Sequence, residues 1–315
     1  MKFVLKKIVT MMITLIVVTL FVFVAFNLIS GDAALSSLGT NATPERIESL
    51  REELGLNDPV IVRYGRWVAN FITGDMGTSY SYKMSVSSMI SNKIPVTLTM
   101  ALIAFVLTCV VSIPLGIYTA KHSGGMMDRI INVVNQVLMA IPPFFSGILI
   151  TFIFGRIFRI FTPGGYISYD VSFGGFLGYM FFPALAIALP KITMVVKMLR
   201  SSVLKESKLD YVRTAYSKGN STNQVLYHHV LKNAILPVIT FLGMTLTDMI
   251  AGSIIVEQVF NVPGLGRILL TSISNRDCPV VMAIIVIIAI LVLVINVLVD
   301  VLYSVIDPRI SLGEE

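Results

Sequence analysis

An all-α integral membrane protein with six transmembrane helices is the fold class this sequence predicts, on three observations. Of its 315 residues, 55% are hydrophobic and only 13% charged, about half the charged share of an ordinary soluble domain. Mean hydropathy is +0.84. Charge-free stretches approaching or exceeding the roughly 20 residues that a helix needs to cross hydrocarbon recur at 8–31, 94–120, 130–155, 171–190 and 278–299, and 233–256 is broken only by Asp248. Such a composition argues against a cytosolic enzyme, a disordered chain or a nucleic-acid binder. The two cysteines, Cys109 and Cys278, form no metal or redox pattern.

The first stretch follows Lys2, Lys6 and Lys7, as a secretory signal would. Its apolar run is longer than a signal core and no small-x-small cleavage site follows, so it reads as a retained anchor. The net charge of +6 records orientation. With the N-terminus inside, the inner segments hold thirteen Lys and Arg and the short outer loops four, Arg156, Arg159, Arg267 and Arg276. Both termini are therefore expected in the cytoplasm.

The long segment 31–93, expected outside, has seven acids and six bases. Thr43, Pro44, Glu45 and Glu48 are placed as cap, first helical residue and dipole partners of a short helix over 44–54. A second helix is expected over 59–71, with Val60, Tyr64, Trp67 and Phe71 at helical spacing. These helices either lie on the membrane surface or form a platform for a partner.

Between the fourth and fifth spans, 200–232 is polar and basic. One helix is expected over 206–218, with Leu209, Val212 and Tyr216 on one face. Gly219 is placed to end it in the left-handed conformation, and Ser221 with Gln224 forms a capping box that opens a second helix. Pattern alone leaves two readings, an amphipathic hairpin on anionic lipid or a stiff elbow for a partner's groove.

Within the spans, Pro142 and Pro143 remove backbone donors and mark either a wall of a watery path or a static kink. Pro114 carries the same ambiguity. Asp248 is costly at mid-span, which suggests a place on the path or a structural pair. Lys191 and Asp300 sit nearer span ends, where snorkelling is expected to suffice. The adjacent His228 and His229 point different ways on a helix, and no metal site is expected. No catalytic constellation is visible.

The stretch Asp210-Tyr211-Val212-Arg213-Thr214-Ala215-Tyr216-Ser217-Lys218-Gly219 resembles the coupling loop of permease subunits in binding-protein-dependent ABC importers, specifically the peptide and nickel branch. The resemblance continues in His229, Leu231, Asn233, Ala234, Leu236-Pro237, Glu257-Gln258-Val259-Phe260, Pro263-Gly264-Leu265-Gly266, Arg276-Asp277 and Asp307-Pro308-Arg309. It also covers Thr43-Pro44-Glu45, Leu54-Gly55-Leu56, Tyr64-Gly65-Arg66-Trp67 and Gly74-Asp75-Met76-Gly77-Thr78-Ser79. It is closest to the first of the two permeases in oligopeptide and dipeptide importers. Arg213 stands where the wider family usually has Glu, and Pro237 lies further from Gly219 than usual; the peptide branch shares both departures.

This resemblance implies a type I ABC importer permease architecture with an external helical insertion and a cytoplasmic coupling hairpin. The expected divisions are 1–30 (first helix), 31–93 (external loop), 94–306 (five-helix core, coupling loop 200–232) and 307–315 (tail). The implied partners are a second homologous permease in a heterodimer, two cytoplasmic ATPases, an extracellular substrate-binding (lipo)protein, a peptide and the lipid bilayer, and no nucleic acid. The chain has no Gly-x-x-x-x-Gly-Lys-Ser/Thr sequence, so ATP and Mg2+ are expected on the partner subunits, with no cofactor and no enzymatic activity in this chain. Asp210, Arg213, Thr214, Ala215, Lys218 and Gly219 are the expected ATPase contact; Pro142, Pro143 and Asp248 the candidates for the path; Trp67, Pro263, Gly264 and Gly266 those for docking the external protein. Cargo of another kind, such as nickel chelates or opines, is the near alternative. An ion-coupled secondary transporter built on Asp248 is the distant one, since it would usually require internal repeats and more spans.

Overall fold

The computed structural model describes residues 2–29, 43–53 and 56–306. The Leu54-Gly55 pair, Asp307-Pro308-Arg309 and the tail 307–315 lie outside the described residues. In chain order the helices are α1 (Lys2–Ile29), α2 (Pro44–Glu53), α3 (Val60–Ile72), α4 (Val86–Ser91), α5 (Ile94–Lys121), α6 (Met126–Ala140), α7 (Pro143–Ile150), α8 (Phe173–Glu206), α9 (Asp210–Ser217), α10 (Thr222–Gln224), α11 (Leu231–Ala234), α12 (Leu236–Phe260), α13 (Leu265–Ser274) and α14 (Cys278–Ile306). Wider i→i+5 turns occupy Thr151–Ile157 and Val225–Val230.

Among the described residues five stretches are long and apolar enough to cross a bilayer: Leu5–Leu28, Val86–Lys121, Phe173–Glu206, Leu236–Phe260 and Cys278–Val301. The third expected span departs from a straight rod. Met126–Ala140 and Pro143–Ile157 are bent by 106° from a common line, and six spans result only if this bent pair counts as one. The cause is local. A residue before proline is pushed out of the α region, and two prolines in a row do this twice. Ile141 (ψ 121°) and Pro142 (ψ 149°) are both extended, after which Pro143 opens the next helix. Pro114, by contrast, sits inside α5 without ending it, as do Pro183 and Pro190 in α8.

The chain forms two compact units. One is drawn from the described residues up to Val96 together with Pro263–Val297, the other from Thr97–Val262 and the described residues from Leu298 on. In the first, α3 packs against α1. Phe23 meets Tyr64 edge-on at 5.6 Å and Trp67 at 5.8 Å, Thr19 Oγ1 and Tyr64 Oη share a hydrogen bond of 2.9 Å, and Arg63 donates to Asn27 Oδ1 at 2.8 Å. A short reversal, bridged between Thr78 and Ser85, is held by the buried Asp277 carboxylate. That carboxylate accepts from Ser79 Oγ and from the backbone N–H groups of Tyr80 (3.0 Å) and Ser81 (3.2 Å). Burial, with Cys278 and Asp277 adding negative potential, pushes the Tyr80 phenol up to about 12.

The second unit is built on α8, against which α6, α7, α11 and α12 pack. Its buried face runs from the large Phe176 and Met180 to the small and branched Ala184, Ile187, Val195 and Leu199. Gly116 lets α5 approach closely, since a Cβ there would stand 2.9 Å from Leu199 Cδ2. Two buried carboxyl groups brace this unit. Glu257 is fully buried and accepts from Thr97 Oγ1 at 2.6 Å. Asp128, in the first turn of α6, accepts from Arg200 on α8.

Candidate functional site

The elbow between α8 and α12 carries the largest group of expected site residues. α8 does not stop where its apolar run ends at Pro190. It continues as a stalk through Lys197, Arg200 and Lys205 to Glu206. The expected single helix over 206–218 is corrected here: the chain turns at Ser207–Leu209, and α9 begins at Asp210. Packing gives the reason. At about 100° per residue, Val203 and Val212 would lie on opposite sides of one straight helix. The turn puts both into a single apolar cluster with Ala215, Val225, Leu226, Val230 and Ala234. The wider turn over Val225–Val230 acts alike, since Val225 and Val230 would diverge by about 140° on an α-helix and instead are both buried.

Polar contacts stiffen the same elbow. Tyr211 Oη donates to Glu206 Oε1 at 2.7 Å and accepts from Asn233 Nδ2 at 3.2 Å. Burial, then the Glu206 carboxylate, raises the Tyr211 phenol above its ordinary pKa. Ser202 Oγ donates to the Ala234 carbonyl at 2.7 Å. Gly219 takes φ +84°, the left-handed end that its position predicts, and Asn220 Nδ2 donates to the Ala215 carbonyl at 3.0 Å. Ser221 and Gln224 form the complete capping box.

Of the expected contact residues, Asp210, Arg213, Thr214, Lys218 and Gly219 are exposed. Asp210 and Arg213 stand 4.0 Å apart with side chains 99% and 85% exposed, so both are displayed outward. Ala215 is different. It is 4% exposed and turned into the elbow's own cluster, so its small size serves internal packing.

Asp248 and Lys191 come together. Asp248 lies twelve residues from either end of α12, and Lys191 Nζ on α8 reaches its Oδ2 at 2.8 Å. The Lys191 side chain, 18% exposed, is held by a carboxylate that is itself 63% exposed. Pro142 and Pro143 form the 106° corner. Beside the Thr151–Ile157 turn lies a mostly apolar depression of about 430 Å³, lined in part by Ile148, Phe152, Pro163 and Val259, with Arg156.

The expected docking residues are used within the chain. Trp67 packs between Phe23 and Phe71, while Gly264 and Gly266 are buried at the start of α13. Pro263 is half-buried. Leu265 and Leu269 of α13 are buried as well. The burial of Asp128, Glu257 and Asp277 is not legible in the sequence. Each lies near a span end, where a carboxylate reads as solvated, and their partners are 72, 160 and about 198 residues away.

Residues 112–312 match the family model described as binding-protein-dependent transport system inner membrane component. Residues 1–101 match the one for the N-terminal part of such membrane components. The "Probable peptide ABC transporter permease protein y4tP" of Sinorhizobium fredii is 32% identical over 98% of both chains. The oligopeptide transport system permease protein AppB of Bacillus subtilis is 35% identical over 93% of this chain and 94% of its own. The dipeptide transport system permease protein DppB of Alkalihalophilus pseudofirmus is 30% identical over 97% and 98%.

Proposed function

This chain belongs to the family of binding-protein-dependent transport system inner membrane components, and we propose that it is one of two permeases through which an ATP-driven importer moves peptides into the cell. The observation that carries the reading is the elbow on its stalk: α9, locked to α8 and α11 through Val212, Ala215 and Tyr211, with Asp210, Arg213, Thr214 and Lys218 facing outward. Such an element transmits displacement because it has its own packed core and cannot bend independently of α8.

The names of the relatives support peptide as cargo. The excess of Lys and Arg in the elbow and near the N-terminus supports a cytoplasmic position for both. In this reading residues 1–30 anchor the chain, 31–93 lie outside, 94–306 form the translocating core and 307–315 the inner tail. ATP and Mg2+ reside on two partner ATPases whose clefts receive α9. A second, homologous permease completes the path along the Pro142–Pro143 corner and Asp248, and an external binding protein delivers the peptide. With Trp67, Gly264 and Gly266 used for packing, the exposed Tyr82, Met84 and Arg276 are the better docking contacts.

Purification with the neighbouring subunits tests the reading. ATPases that co-purify and ATP-dependent peptide uptake in vesicles are expected. Uptake by this chain alone, driven by an ion gradient, would overturn it. The ligand retained by the external protein identifies the cargo.

A further inference from the structure

α12 leaves one stripe bare in the second unit. Met244, Asp248, Ala251, Ile255 and Gln258 are all exposed, at the three- and four-residue spacing of a single helix face. The other sides of α12 are taken by α7 and α8. A stripe with a carboxylate about 18 Å from either helix end does not face hydrocarbon, where a charge is costly. It faces protein or water.

The ion pair on this stripe is asymmetric. Lys191 is sheltered at 18% exposure, while Asp248 is 63% exposed and uses Oδ2 for the lysine. The carboxylate therefore has lone pairs left for a second cation. The geometry points to Asp248 as the group on the translocation path that receives the α-ammonium of a passing peptide, with Lys191 as a resident counter-ion that the peptide partly displaces. This rests on the peptide-permease reading.

Chemistry favours the ammonium end. The two cations compete for one carboxylate, so the empty path stays neutral and avoids the penalty of an unpaired buried charge. Competition also keeps the peptide from binding too tightly, and transport requires a site strong enough to enter and weak enough to leave. No covalent step is involved: one ammonium–carboxylate contact is exchanged for another.

The test uses the complete importer reconstituted in vesicles, with trialanine and N-acetyl-trialanine as probes, each uptake rate divided by the peptide's capture by the external protein. The native importer is expected to prefer the free amine about tenfold, the factor that roughly 1.4 kcal/mol of charged hydrogen bonding supplies. Asp248→Asn should reduce that ratio to within about twofold of unity, again the loss of one charged contact. An unchanged ratio in Asp248→Asn overturns the proposal. So does full native preference in the exchanged pair Lys191→Asp/Asp248→Lys, which retains the bridge but presents a cation. Should these variants not assemble, Ala251→Cys in an importer without Cys109 and Cys278 gives a second readout. A water-soluble maleimide should label it, more slowly with trialanine and ATP present. No labelling means that the face is sealed, and the proposal fails. If the native importer moves neither peptide, the peptide reading fails instead.

Discussion

Asp128 and Arg200 are joined by two parallel hydrogen bonds, Nε to Oδ1 and Nη2 to Oδ2, each 2.7 Å. The carboxylate is 3% exposed, and it also accepts from the Gly124 N–H and from Asn132 Nδ2. This fork ties the start of α6 to the stalk of α8, so the bent span and the elbow share one fixed point. Arg200→Met should leave Asp128 buried without its partner and cost about 3 kcal/mol. A thermal melt of the purified permease checks this. Asp128→Leu together with Arg200→Met should be less destabilising than Arg200→Met alone, because no uncompensated charge is left behind.

Gly219→Ala should cost roughly 1–2 kcal/mol, the penalty for a side chain in the left-handed region. Gly219→Asn, which tolerates that region, should recover most of the loss. Uptake per ATP hydrolysed is the readout: it should fall for Ala and more severely for Pro, and approach the native ratio for Asn. Equal ratios in all three would remove the elbow's angle from the mechanism.

Ala215→Glu and Arg213→Glu should separate by mechanism. The first buries a charge in the elbow's apolar cluster and is expected to cost more than about 2 kcal/mol, seen as faster proteolysis at Ser207–Ser221. The second changes an exposed side chain, so the elbow stays intact while ATPase retention on affinity purification declines. Intact, protease-resistant elbow structure in Ala215→Glu would contradict the packing described for α9.

Asp277→Ala removes the acceptor for Ser79 Oγ and the Tyr80 and Ser81 N–H groups. Charge-assisted bonds of this type contribute about 1.5–3 kcal/mol. Hydrogen exchange over 78–85 should accelerate by at least about tenfold, which is roughly 1.4 kcal/mol of local opening. Asp277→Asn should lie between the native protein and Ala.

Replacing both Pro142 and Pro143 by alanine restores two backbone donors and removes the constraint on Ile141. The 106° bend should straighten, read as a longer distance between spin labels at Val133 and Ile148. An unchanged distance would mean that the packing of α6 and α7 on α8 sets the corner without the prolines.

Much of the elbow was legible because its signals are local. Gly219 ends a helix by its missing Cβ, and Ser221 caps one by reaching three residues ahead; both are properties of a few neighbouring residues. The turn at Ser207–Leu209 was not legible, since it depends on Val203 and Val212 meeting a cluster contributed by α11 and α12. The same distinction separates Pro142–Pro143, whose strain on Ile141 is local, from the 106° direction of the bend, which follows from what α8 and α12 offer α7.

That the chain is a helical membrane protein, where its apolar segments lie, and which residues punctuate the elbow can all be read from the sequence alone. Those depend on hydrophobic length and short-range backbone chemistry, which are written along the chain. Long-range packing brings Lys191 to Asp248 and Asp128 to Arg200, turns Ala215 inward, and buries Gly264 and Gly266. Each joins groups brought together by packed helices, and a buried charge or a small residue takes its role from the neighbour that meets it.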